Sequence, residues 1–172
     1  GTSGGPAAVE KTGTLAGAGT VAGNTSFLGG GVLEGTQGQT LKIGGSLVLD
    51  GASQINAALG AAASSALFDV TGNLTLAGTL NVSDQGGFGA GIYRLFDYRG
   101  VLTNKGVLIG SVPAGSTAGN LTVQTAVGGR INLASAAGPE LRFWDGGDAA
   151  RHFNGVIDGG AGLWRADGSN WA

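Results

Sequence analysis

A chain without cysteine must find its chemistry in histidine, carboxylates and aromatic rings, and the densest group of these follows Gly138-Pro139. His152 is the single histidine, so a Ser-His-Asp arrangement would have to use it. It sits in Arg151-His152-Phe153-Asn154 with no nucleophile elbow beside it, which reads as an ordinary loop histidine. Asp145, Asp148, Asp158 and Asp167 lie near Arg142, Arg151 and Arg165. Glycoside hydrolysis needs two carboxylates about 5–10 Å apart across a cleft. Three of these four precede glycine, however, which is the signature of a turn. No catalytic residue is therefore assigned. The same Asp-Gly-Gly segments match the spacing of neither an EF-hand loop nor a Gly-Gly-x-Gly-x-Asp repeat, so no metal site and no cofactor are expected. Trp144, Trp164 and Trp171, with Phe143, are the candidate ligand-binding residues, a stacking platform for a sugar or a protein partner. The competing reading packs them into a small cap or the core of a further coil, the commoner fate of large aromatics.

The elements that must position such groups are set by composition. Of 172 residues, 37 are glycine, 3 are proline and the net charge is −2. Glycine and proline make about 23 % of the chain, just under the roughly 25–30 % typical of low-complexity disorder. Leucine, isoleucine, valine and phenylalanine make about 24 %, above the roughly 20 % below which folding fails. The chain should fold, with little help from charge. Nine basic residues against eleven acidic ones leave no electrostatic footprint for nucleic acid. No apolar run approaches the roughly 20 residues of a membrane-spanning helix. The first six residues lack the charged and apolar regions of a signal peptide, which does not make the chain cytosolic, since it reads as a piece whose targeting signal, if any, lies upstream.

Helical periodicity is nearly missing. Ala57 to Ala66 is rich in helix formers but too short to stand alone, and reads as a single turn or a loop excursion. Elsewhere the signal has period two: Thr40–Ile43, Ser46–Leu49, Gln54–Ala57, Asn73–Leu76, Thr79–Val82, Asn120–Thr125 and Arg130–Leu133. Alternation puts Leu74, Leu76, Leu80 and Val82 on one face and Thr75, Thr79 and Asn81 on the other. Glycines punctuate the runs, and a Gly-x-Leu figure recurs at Gly13, Gly31, Gly45, Gly72 and Gly78, with Gly-Thr-Val at Gly19. Short strands with this weak self-similarity predict an all-β fold, a parallel β-helix in which brief strands wind about a narrow aliphatic axis. At about 20 residues per rung the chain would make roughly eight rungs, a rod about 40 Å long. The composition shift near Gly138-Pro139 divides residues 1–138, the rungs, from 139–172, a Trp- and Asp-Gly-rich segment that caps them or opens a further repeat block.

Three stretches carry a family likeness. Phe68-Asp-Val-Thr-Gly-Asn-Leu-Thr-Leu-Ala-Gly-Thr-Leu-Asn-Val82, followed by Gly91-Ile-Tyr-Arg-Leu-Phe96, resembles a recurring segment of bacterial autotransporter passenger domains. Gly13-Thr-Leu-Ala-Gly-Ala-Gly-Thr-Val21 is similar to their Gly-Thr-Leu repeat. Phe143-Trp-Asp-Gly-Gly147 through Val156-Ile-Asp-Gly-Gly-Ala-Gly-Leu-Trp164 to Asn170-Trp171 is similar to the Trp-Asp-Gly stretch that opens repeat blocks in such proteins. The resemblance implies a right-handed, pectin-lyase-like parallel β-helix, exported through the outer membrane and displayed on the bacterial surface or released. It implies a non-enzymatic structural or adhesive stalk, with host-cell or matrix molecules or neighbouring bacterial cells as partners. Loops such as Asp84 to Gly91 and Tyr98 to Lys105 would make the contacts. Membrane association would come only through a C-terminal barrel that this sequence does not include, and open rod ends would favour end-to-end self-association. Two other readings compete: a polysaccharide-active β-helix enzyme using Asp145, Asp148 or Asp158, and a segment that nucleates folding of the passenger after export.

Overall fold

A computed structural model describes residues 2–136. The alternating runs become strands, and the strands wind. The first coil contains β1 (Thr2–Ser3), β2 (Ala7–Val9) and β3 (Thr14–Leu15); the second β4 (Gly19–Val21), β5 (Thr25–Phe27) and β6 (Val32–Thr36); the third β7 (Leu41–Ile43), β8 (Leu47–Leu49) and β9 (Gln54–Leu59). In the fourth, β10 (Phe68–Val70) is followed by β11 (Leu74–Asp84), whose first residues continue the β8 side and whose later ones continue the β9 side. A fifth layer starts with β12 (Gly91–Tyr98) and β13 (Leu102–Ile109). Every strand-to-strand pairing through this point is parallel, so the described residues form an all-β solenoid of about 4 turns.

The expectation of roughly eight rungs does not fit the described residues, for two reasons. The step between equivalent positions grows from 18 residues (Thr2 to Thr20) to 22 (Gly19 to Leu41), 27 (Leu41 to Phe68) and 28 (Phe68 to Phe96). Parallel winding then gives way to an antiparallel pair. After a 3-10 turn at Ala118–Asn120, β14 (Leu121–Gln124) pairs with β15 (Arg130–Ser135), which lies antiparallel on β12. The segment 139–172 lies outside the described residues.

Ala57 to Ala66 is no helix. Ala57 and Leu59 belong to β9 and are buried, and the residues from Gly60 to Ala66 form the loop to β10. Helix propensity is overruled by register, because Ala57 stacks on Val82 in the next coil. The face assignment in β11 holds: Leu74, Leu76, Leu80 and Val82 are buried, while Thr75, Thr79 and Asn81 are half-buried on the outside.

Because parallel strands stack in register, like positions of successive coils form columns. Leu15, Leu33, Ile55, Leu80 and Ile109 make one, and Leu41, Phe68, Phe96 and Ile131 another. In the second the Phe68 and Phe96 rings sit 4.9 Å apart. The column through β5, which runs from Ala7 to Leu47 and Leu74, is interrupted between the first two by Thr25. Its hydroxyl is buried with no hydrogen-bond partner among the described residues.

The Gly-x-Leu figure resolves into two corners. At one, Gly23-Asn24, Gly45-Ser46, Gly72-Asn73 and Gly100-Val101 stack, and each side-chain oxygen caps the next coil: Asn24 Oδ1 accepts from Ser46 N (2.8 Å), Ser46 Oγ from Asn73 N (3.1 Å), and Asn73 Oδ1 from Val101 N (2.9 Å). The glycines are required by contact. A Cβ on Gly72 would lie 2.8 Å from Gly45 C and from Ser46 N. At the other corner Gly78 has φ +99°, and a Cβ there would collide with the Ser53 carbonyl oxygen. No side chain can occupy that position without moving the coil beneath it.

Two substitutions at this second corner should therefore separate. Gly78→Ala should cost about 2–4 kcal/mol in urea-induced unfolding, from backbone strain plus the clash. Gly51→Ala, whose Cβ meets nothing within 4 Å, should stay within about 0.5 kcal/mol of the parent. Thr25→Val should stabilise by about 1 kcal/mol, since it removes a buried hydroxyl without a partner and keeps the shape; a loss in the same measurement would show that the hydroxyl is satisfied.

Candidate functional site

The outward positions of β6, β9 and the second half of β11 also stack. Glu34, Asn56 and Asn81 form one column; beside it run Val32, Gln54 and Thr79, and on the other side Thr36, Ala58 and Ser83. A groove of about 610 Å³ follows this face, lined by Glu34, Gln54, Asn56, Ala58, Asn81, Val82 and Ser83, with Ser111 joining from the segment after β13. Parallel register assembles it: residues 25 positions apart in sequence meet because one coil lies on the next.

Asn81 organises the groove. Its Nδ2 donates to Gln54 Oε1 (3.1 Å) and to Asn56 Oδ1 (3.0 Å), one bond for each of its hydrogens. Its Oδ1 accepts from Ser111 N (3.0 Å) and Ser111 Oγ (3.2 Å). Those bonds fix which end of the Gln54 and Asn56 amides is the acceptor end, leaving their NH₂ groups without a partner among the described residues. Glu34 is the one carboxylate in the lining, and no basic residue joins it. Such a surface can exchange hydrogen bonds with a neutral polar ligand. Among the described residues, no cluster of three or more metal-binding side chains is present.

Charge sits on a different face. Lys42, Asp69 and Asp97 stack in register, with Arg130 opposite Asp97. Arg99 Nη1 pairs with Asp69 at 3.0 Å, and Arg94 Nη1 with Asp97 at 2.7 Å, while Arg94 Nε donates to Asn132 Oδ1 at 2.7 Å. These pairs offset the repulsion of two stacked aspartates, and each partly exposed pair contributes at most about 1 kcal/mol.

Among the described residues, one carboxyl is clearly shifted. Asp50 Oδ2 accepts from Gly29 N at 2.7 Å, and Asp50 Oδ1 from Ser53 Oγ at 2.8 Å and Ala52 N at 3.0 Å. The Gly29 amide, then the Ser53 hydroxyl, hold its pKa below the ordinary 3.8 by favouring the charged form. Asp50 is structural: it ties the Asp50–Ser53 turn to the coil below.

The loops singled out as contact points are held by internal hydrogen bonds or run into strands. In Asp84 to Gly91, Asp84 Oδ1 accepts from Gly86 N (2.7 Å) and Phe88 N (3.0 Å), the Phe88 and Tyr93 rings stack at 4.9 Å, and the Tyr93 hydroxyl bonds both backbone groups of Gly89. Tyr98 to Lys105 is only partly loop, since Leu102–Lys105 start β13. Trp144, Trp164, Trp171 and Phe143 lie outside the described residues, as do His152 and the Asp145, Asp148, Asp158 and Asp167 group. The groove residues went unnoticed in the sequence. Their signal is Gln54-x-Asn56 and Asn81 at outward positions, but only the coil-to-coil register brings them together.

Over 105 residues, 60 % of its length, the chain is 44 % identical to the Adhesin BmaC autotransporter of Brucella suis biovar 1 (strain 1330). That similarity bears out the resemblance to autotransporter passengers carried by the motifs. The chain spans 3 % of that protein's length. No family model matches the chain, and no solved structure matches it.

The Asp50 geometry fixes a pH dependence. A carboxyl whose folded pKa is depressed contributes stability above its unfolded value near 3.8, and that contribution disappears as pH falls through the folded value. Asp50→Asn should lower stability at neutral pH and narrow its gap to the parent as pH is taken from about 5 to about 2. A gap that stays constant in urea titrations across that range would disprove the assignment.

Proposed function

We propose that this chain is a non-enzymatic structural and adhesive segment of an autotransporter passenger. It forms a length of β-solenoid stalk, carried through the outer membrane and displayed at the bacterial surface. Host-cell or matrix molecules, or neighbouring bacterial cells, are its contacts. The observation that carries this reading is the parallel solenoid in a chain akin to a protein named as an adhesin autotransporter.

Physical features support the role. Coil-on-coil hydrogen bonding of the parallel strands resists bending, which suits a stalk. The sequence has no cysteine, so such a chain can cross an oxidising compartment unfolded without cross-linking. The outward face is hydrogen-bonding and nearly uncharged over the groove, and lateral faces lengthen with every coil, so many weak contacts can add along the rod.

Deleting this segment in frame from the full-length parent protein should lower bacterial adhesion to host cells by at least threefold while surface display persists. Replacing it with an unrelated β-solenoid of equal length should leave adhesion low. Restored adhesion would reduce its role to that of a spacer. Cleavage of a polysaccharide by the purified chain would overturn the non-enzymatic reading.

A further inference from the structure

We propose that the groove over β6, β9 and β11 is a binding site for a neutral oligosaccharide. This inference rests on the adhesive reading for its biological setting, but not for its chemistry. Three features select the ligand class. First, the groove offers donors and an acceptor side by side: the Gln54 and Asn56 NH₂ groups and the Glu34 carboxylate, none with a partner among the described residues, with Ser83 Oγ beside them. Rows of adjacent hydroxyls, each both donor and acceptor, match such a mixed lining.

Second, the amides are held before any ligand arrives. Asn81 binds the oxygen ends of Gln54 and Asn56 and is itself anchored by Ser111, so ordering these side chains costs a ligand little. Third, the lining rejects the alternatives. Glu34 without a basic neighbour repels uronates and sulfated sugars. A protein partner would look for aromatic or arginine anchors, and the lining has none; its apolar members are Ala58 and the buried Val82. The volume of about 610 Å³ falls within the roughly 300–1,000 Å³ of small-ligand sites. Without an aromatic ring to stack on, binding should be weak, with Kd on the order of 0.1–1 mM per site.

The test uses the whole 172-residue chain. Saturation-transfer NMR and calorimetry would be run with cello-, manno- and galacto-tetrasaccharides as neutral probes, and with a tetragalacturonate, a heparin tetrasaccharide and an extended serine-rich peptide as competitors. At least one neutral probe should bind, and bind more tightly than either acidic one. Glu34→Ala and Gln54→Ala should each weaken it about tenfold or more with the thermal melt unchanged, while Thr122→Ala in β14 on the other sheet should leave it unchanged. No neutral binding, preference for the acidic sugars or the peptide, or binding that survives the Glu34→Ala/Gln54→Ala double variant would each overturn the proposal. Cell adhesion separates the two readings. If no neutral sugar binds while the parent adheres, the site fails and the adhesive role stands; if neutral sugars bind through these residues while the parent does not adhere, the reverse holds.

Discussion

Vertical registry between coils is the constraint on which the rest of this molecule depends. A narrow solenoid has little core in any one coil, so burial is sufficient only if each inward side chain meets its counterpart above and below. The corner formed by Gly23-Asn24, Gly45-Ser46 and Gly72-Asn73 enforces that registry twice. A side-chain oxygen takes the backbone N–H of the coil above. The neighbouring glycines let the backbones approach to a distance that leaves no room for a Cβ. A slip by one residue would turn every aliphatic side chain outward. The column of asparagine and serine ends at Val101, whose side chain has no oxygen to offer, and from there the chain soon turns to antiparallel pairing.

The same registry creates the surface. Outward residues of one coil are separated from their neighbours by 18 to 28 positions in sequence but by about one strand spacing in space. A groove such as that around Asn81 is therefore a by-product of stacking, and its preorganisation costs no separate scaffold. Faces differ in character accordingly: one gathers charge into ion pairs around Asp69 and Asp97, another gathers amides around Asn81. A stalk built this way can vary its contacts face by face without touching its core, since alternate residues along each strand serve the two purposes independently.

Strand positions were largely legible because each carries its own period-two signal. Thr40–Ile43, Ser46–Leu49, Gln54–Ala57 and Thr79–Val82 all coincide with strands, and the inward set of β11 is the one alternation specified. Coil length was not legible. Turns such as Asp50–Ser53 and the loop from Gly60 to Ala66 add residues without any periodic mark, so a step of about 20 was read where the chain takes 18 to 28. The joining of two faces in β11 was hidden likewise, because it depends on Gly78 replacing a turn with a positive-φ bend.

By itself, then, the sequence determined the class of fold and the direction in which each strand side chain faces, both of which follow from local alternation and glycine spacing. It also carried the likeness to autotransporter passengers. Tertiary structure alone decided which residues become neighbours across coils: the groove of Glu34, Gln54, Asn56 and Asn81, the paired charges, and the point where parallel winding stops. The physical reason is that coil-to-coil register is a sum of loop lengths and backbone contacts spread along the chain, and no short window of residues contains it.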